Sequence, residues 1–208
     1  MESPQFSCKL GVLSRPDASV IFCEGETVVM AGIYGPIEVK MQKMLIDKAS
    51  VECNYRPKRG LPGVEDKLYE SLIRNICDTA LVTSLYPRSA ILIALQEMHN
   101  SGQLISCAIN AACLVCLESG IDMKFMFGAV TCFLTNQEEL RLMPPISDSA
   151  VKASFVFVLD NVKERILASH TEGSFSMEQY EEAQDLSRKQ IKNVFAFFKK
   201  TLNSGKEM

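Results

Sequence analysis

The sequence contains no tryptophan and only two histidines, His99 and His170, which stand far apart in the 208 residues. Two isolated imidazoles do not furnish a zinc ligand set, and neither stands in the context of a catalytic base. There is no G-x-S-x-G, no Walker lysine loop and no dinucleotide fingerprint. No apolar span reaches the length of a membrane helix and no signal peptide opens the chain, so the sequence reads as neither membrane-bound nor secreted. An excess of positive charge is lacking too. The formal net charge is -3, which excludes a protein whose whole surface attracts nucleic acid. Repeats and low-complexity linkers are also absent.

What is present is the composition of one folded domain, 47% hydrophobic and 23% charged, expected to span residues 1–208 with a frayed tail at 203–208. Its eight cysteines, Cys8, Cys23, Cys53, Cys77, Cys107, Cys113, Cys116 and Cys132, lie mostly in apolar runs. They read as reduced core thiols of an intracellular protein. Cys113 and Cys116 form one CxxC, which raises zinc or redox chemistry, but a second pair is missing and AACLVCLE reads as an apolar helix. Buried thiols are the favoured reading, with no metal and no cofactor.

Three β-branched runs, SVIFCE, TVVMAGIY and KASVECNY, predict three consecutive strands in an antiparallel sheet. From Val64 to about Ser84 the period changes to that of an amphipathic helix, through Leu68, Leu72, Ile73, Ile76 and Ala80. RSAILIALQEM then predicts a strand buried on both faces, and a helix follows from about Ser106 to Glu118, closed by Gly120. Four further strands are expected in MKFMFGAVTCFL, EELRLM, ASFVFVLD and RILASH. A last helix starts at Ser176 with Gln179 as its capping-box partner and carries Ile191, Val194, Phe195, Phe198 and Leu202 on one face. Arg188, Lys189, Lys192, Lys199 and Lys200 take most of the other face, as a solvated surface or, less favoured, a nucleic-acid stripe.

Two stretches carry candidate chemistry. NSGQLISCAIN is a glycine turn opening a helix, the backbone arrangement that holds a phosphate. YRPKRGLPG is the densest basic feature, with Arg56, Lys58 and Arg59, and reads equally as a phosphate-backbone contact or as plain surface. Asp148 stands alone in SDSAVKAS, where a lone acid is usually just solvated.

The order of LSRPDASVIFCEGETVVMAGIYGP, KASVECNYRPKRGLPG and ESLIRNICDTALVTSLYPRSAILIALQEMHNSGQLISCAINAACLVCLESGI resembles the RNase PH-like family, from about Val12 to about Phe198. Within it the pattern is similar to ring subunits of the eukaryotic RNA exosome. The resemblance implies an α/β (α+β) fold of two βαβα-type halves, with mixed and antiparallel sheets packed against helices. It implies assembly with other RNase PH-like subunits into a six-membered ring beside RNA-binding cap subunits, with RNA passing through the channel. Processing and degradation of RNA from its 3′ end, rRNA included, in nucleus, nucleolus and cytoplasm would be the work of that assembly.

Phosphorolytic members of the family hold phosphate on a Gly-Gly-Thr-Arg-Thr turn, which falls here on Ser101, Gly102, Gln103, Leu104 and Ile105. Leu104 takes the arginine position, while Gln103 and Ile105 replace the hydroxyls. Of the family's two aspartates, the first aligns with Asp148 and the second with Ser154. The implied subunit is therefore non-catalytic, with Arg56, Lys58, Arg59 and Arg74 as RNA-contact candidates. A surface salt bridge is the equal alternative for Arg74. The competing expectation is a phosphate-dependent 3′ exoribonuclease, or a homodimeric nuclease, using Asp148 and the basic loop.

Overall fold

Strand and helix signals in the sequence become twelve strands and α-helices in the described part of the structure, a computed structural model that describes residues 4–144 and 151–204. They are β1 (Phe6–Leu10), β2 (Ala18–Glu24), β3 (Thr27–Glu38), β4 (Ser50–Arg56), α1 (Val64–Ala80), β5 (Ser89–His99) and α2 (Leu104–Ser119). After these come β6 (Phe127–Thr135), β7 (Leu140–Arg141), β8 (Val151–Asp160), β9 (Ile166–Gly173) and α3 (Met177–Ser204).

The first sheet has the order β1-β2-β3-β5-β4. Strands β2, β3 and β5 pair antiparallel, whereas β4 runs parallel to β5. This corrects the expectation of an antiparallel sheet in sequence order, because β5 inserts between β3 and β4. The segment between β3 and β4 is too long for a tight hairpin, and α1 supplies the crossover that a parallel pair requires. Strand β1 carried no clear signal and was not expected. Its partly buried residues pair with β2 at the sheet edge.

Strand β5 is not buried on both faces. Ile91, Ile93 and Leu95 are buried on one side, and Leu92, Ala94 and Gln96 are half-buried on the other, the period-2 pattern of a one-sided sheet. Helix α1 ends at Ala80 rather than near Ser84, since Leu81 turns extended and bridges to Met123. Helix α2 starts at Leu104, two residues before its expected start, and stops before Gly120, whose φ of 72° makes the left-handed cap.

The second sheet, β7-β6-β8-β9, is antiparallel. Every residue of β6 is buried, because α2 lies against one face and α3 against the other. The Cys132 thiol meets the Ser187 hydroxyl of α3 at 3.2 Å. At Gly128 a Cβ would come within 2.9 Å of Ile191 Cδ1 and 3.1 Å of Phe195 Cε1, so the bare backbone lets α3 seat on the sheet. Helix α3 begins as expected: the Ser176 N–H donates to Gln179 Oε1 at 3.0 Å, and the Gln179 N–H donates to Ser176 Oγ at 3.3 Å.

Helix α2 is the common core. Residues from Ser106 to Cys116 are all buried, between β2 and β3 on one side and β6 on the other. Asn110 Nδ2 donates to the Ala129 carbonyl at 3.0 Å, and its Oδ1 accepts the Ala129 N–H at 2.8 Å. A strand residue points its N–H and C=O to the same side, so this one amide takes the place of a neighbouring peptide along β6. Helices α1 and α2 thus lie between the two sheets, and α3 covers the outer face of the second sheet and reaches the first at its C-terminal end, where Phe197 and Phe198 meet Phe6 and Phe22.

Candidate phosphate turn and basic loop

The turn before α2 has the backbone expected of an anion cradle, with Gly102 at φ 100° and Gln103 as N-cap. Its donors are partly engaged within the protein. The Ser101 N–H donates to Thr27 Oγ1 at 3.1 Å, and the Gly102 N–H donates to Asn100 Oδ1 at 2.8 Å. Gln103 is buried, and its Nε2 donates to the Leu142 carbonyl at 2.6 Å instead of capping the helix. Leu104 and Ile105 are half-buried against the core. Pro144 closes over the glycine, its Cβ 3.2 Å from where a Gly102 Cβ would stand. The side chains of the turn therefore present no cation where a phosphate would sit.

Below the turn lies a group that no motif singled out. Glu24, at the end of β2, is 2% exposed and accepts the Ser106 hydroxyl at 3.0 Å. Burial pushes its carboxyl up to about 8, against the smaller pull of hydrogen bonds from Ser106 and Asn110. The only sequence signal for it is an acid at an inward position of an alternating strand.

Ser154 sits in β8 opposite Phe133, and cross-strand partners share a sheet face. Phe133 reaches the turn, its Cζ 3.9 Å from the Cβ position of Gly102. The structure thus brings Ser154 to the face that the turn adjoins. Asp148 lies outside the described residues. Among the described residues no three His, Cys, Asp or Glu side chains gather as a metal site would require. Cys113 and Cys116 are fully buried within α2, and burial raises the Cys113 thiol, which suits core packing rather than nucleophilic chemistry.

The basic loop leaves β4 over the end of β5. Gln96 Nε2 donates to the Pro57 carbonyl at 3.2 Å, and Glu97 Oε2 accepts the Lys58 N–H at 3.3 Å. Arg56, Lys58 and Arg59 are exposed. Among the described residues none of these three, nor Arg74, takes part in an ion pair. Arg74 is exposed on α1, which packs on the face of β4 that buries Val51, Cys53 and Tyr55. Arg56 alternates to the opposite face, so the structure does not bring Arg74 and Arg56 together.

This arrangement can be set beside known proteins. The profile of the RNase PH family, described as 3′ exoribonuclease family, domain 1, matches residues 3–122. The chain belongs to the RNase PH family. An Arabidopsis thaliana protein named exosome complex exonuclease RRP46 homolog is 27% identical over 212 residues, covering 93% of this chain and 89% of its own. The exosome complex component rrp46 of Schizosaccharomyces pombe is 32% identical over 130 residues, 62% of this chain and 58% of that protein. The crystal structure of rice (Oryza sativa) Rrp46 superposes with a TM-score of 0.89 at 27% identity, covering 97% of this chain and 96% of that one. A chain of the Archaeoglobus fulgidus exosome with RNA bound to the active site shares the fold, with a TM-score of 0.80 at 13% identity. The RNase PH-like fold read from the order of motifs is therefore the fold of this chain.

Proposed function

We propose that this RNase PH chain is a subunit of an RNA exosome ring and performs no phosphorolysis itself. Kinship with RRP46 and its structural counterpart in rice supports the ring assignment. The observation that carries the loss of activity is the turn at α2. Leu104 occupies the arginine position, and Gln103 is turned inward onto Leu142. A guanidinium binds phosphate through paired, charge-assisted donors, and an isobutyl group offers none. Loss of such a group costs roughly 3–4 kcal/mol of transition-state stabilisation, two to three orders of magnitude in rate.

In this reading the chain works through assembly with sister RNase PH-like subunits and RNA-binding cap subunits, in nucleus, nucleolus and cytoplasm. The loop bearing Arg56, Lys58 and Arg59 faces the RNA path and contributes sequence-independent contacts during RNA processing and degradation, that of rRNA included. No cofactor is required of this subunit.

Labelled single-stranded RNA incubated with the purified chain, with and without phosphate and magnesium, tests the first half. No nucleoside diphosphate is expected, and Leu104→Arg is not expected to restore release, because Gln103 and Ile105 differ as well. Phosphate-dependent release by the unmodified chain would sink the proposal, all the more readily if Asp148→Asn abolished it. Co-expression with RNase PH-like partners tests the second half, with co-purification in one complex as the expected result.

A further inference from the structure

Two consecutive side chains of β5 grip the basic loop from opposite faces of the sheet. Gln96 alternates to the open face and holds the Pro57 carbonyl at 3.2 Å. Glu97 alternates to the inner face, where its Oε2 accepts both the Lys58 N–H and the Tyr55 hydroxyl at 3.3 Å each. Tyr55 is 1% exposed and meets Tyr69 of α1 edge-on at 6.0 Å, so Glu97 links the loop to a fixed point of the core. Arg56 is fixed as the last residue of β4, opposite Gln96; without the Glu97 link, Lys58 and Arg59 would sit on a polar loop held only at the Pro57 carbonyl, to be ordered at the moment of binding.

We propose that Glu97 is a positioning residue for RNA: it fixes the backbone of the Arg56–Arg59 loop so that its cations meet a sugar-phosphate chain already arranged. The inference rests on the reading above that this loop contacts RNA. It carries an unusual sign. Glu97 is an acid hydrogen-bonded to the backbone of a cationic loop, so simple electrostatics makes its removal strengthen binding to a polyanion. A positioning role makes its removal weaken binding, because ordering of the loop then opposes association.

The test measures the affinity of the full chain for a single-stranded oligoadenylate over a series of salt concentrations. Arg56→Ala with Arg59→Ala is expected to weaken binding and flatten the salt dependence by roughly 0.7 in slope per lost phosphate contact. Glu97→Ala is expected to weaken binding roughly tenfold with the slope kept, since the cations remain. Glu97→Gln, whose amide oxygen can accept the same two donors, is expected to bind as tightly as the unmodified chain or more tightly. Should Glu97→Ala fail to fold by circular dichroism, Glu97→Asp, too short to reach both donors, takes its place with the same expected loss. If the arginine pair changes nothing, the loop does not touch RNA and the reading itself falls. If the arginine pair weakens binding while Glu97→Ala binds equally well or better, the positioning role is overturned and the reading stands.

Discussion

At the scale of single residues, the molecule depends on a few buried polar groups held in place by hydrogen bonds. Glu24 is the clearest case, a carboxyl in the core with its pKa raised from the ordinary 4.5 to about 8. A raised folded-state pKa means that the native protein binds this proton more tightly than the unfolded chain. Its contribution to stability is fully present below about pH 4.5 and is lost as the pH rises through about 8. The slope between those limits reaches roughly 1.4 kcal/mol per pH unit. Glu24→Gln is expected to flatten that part of the profile, measured as the urea midpoint from pH 5 to pH 9. Asn110 works in the opposite manner, by satisfying others. Asn110→Ala strands the N–H and C=O of Ala129 in a dry interior and is expected to cost roughly 2–4 kcal/mol, read from the same urea midpoints. Neither role was legible in the sequence. Periodicity says which positions face inward but not which polar side chain will meet which peptide across the layers. The turn was legible for the opposite reason: a glycine turn opening a helix is a local signal. What the sequence did not tell is that Gln103 folds inward and that Pro144 closes over Gly102.

At the scale of elements, the seating of α3 on β6 depends on one missing side chain. Gly128→Ala pushes a methyl against Ile191 and Phe195, and is expected to lower stability by about 1–3 kcal/mol, visible as a lower Tm. Ser176→Ala removes the hydroxyl that caps α3 and is expected to cost about 1 kcal/mol in the same measurement. The sequence foretold this helix well, since a capping box and an apolar stripe are local signals. Strand pairing was less legible. A β-branched run announces a strand, yet nothing local to KASVECNY says that its neighbour will be β5, which is made later and on the far side of α1. The one-sided burial of β5 was hidden as well, because Leu92 and Ala94 are apolar residues on the open face of the sheet.

At the scale of the whole molecule, α2 serves both sheets. Its residues meet β2 and β3 on one flank and β6 on the other, so the two halves share it as one core. Unfolding is therefore expected as one cooperative transition, with the calorimetric and van't Hoff enthalpies equal. Gly128→Ala, confined to the second sheet, is expected to move that single transition rather than split it. The acidic balance belongs to this scale as well. With a formal net charge of -3, contact with a polyanion is expected only where cations are not engaged in ion pairs; among the described residues Arg56, Lys58 and Arg59 take part in none.

The position of β4 at the sheet edge also sets a problem in time. The strand leaves the ribosome complete at Arg56, but its pairing partner among the described residues, β5, begins at Ser89. Translation proceeds at about 5–20 residues per second, so an apolar strand waits unpaired for seconds while α1 is made. Glu70 of α1 accepts the Tyr55 N–H at 3.2 Å, so the helix engages the outer edge of β4 and leaves the side that awaits β5 uncovered. A nascent chain stalled between α1 and β5 is the form of this protein in which a chaperone would find the most to hold.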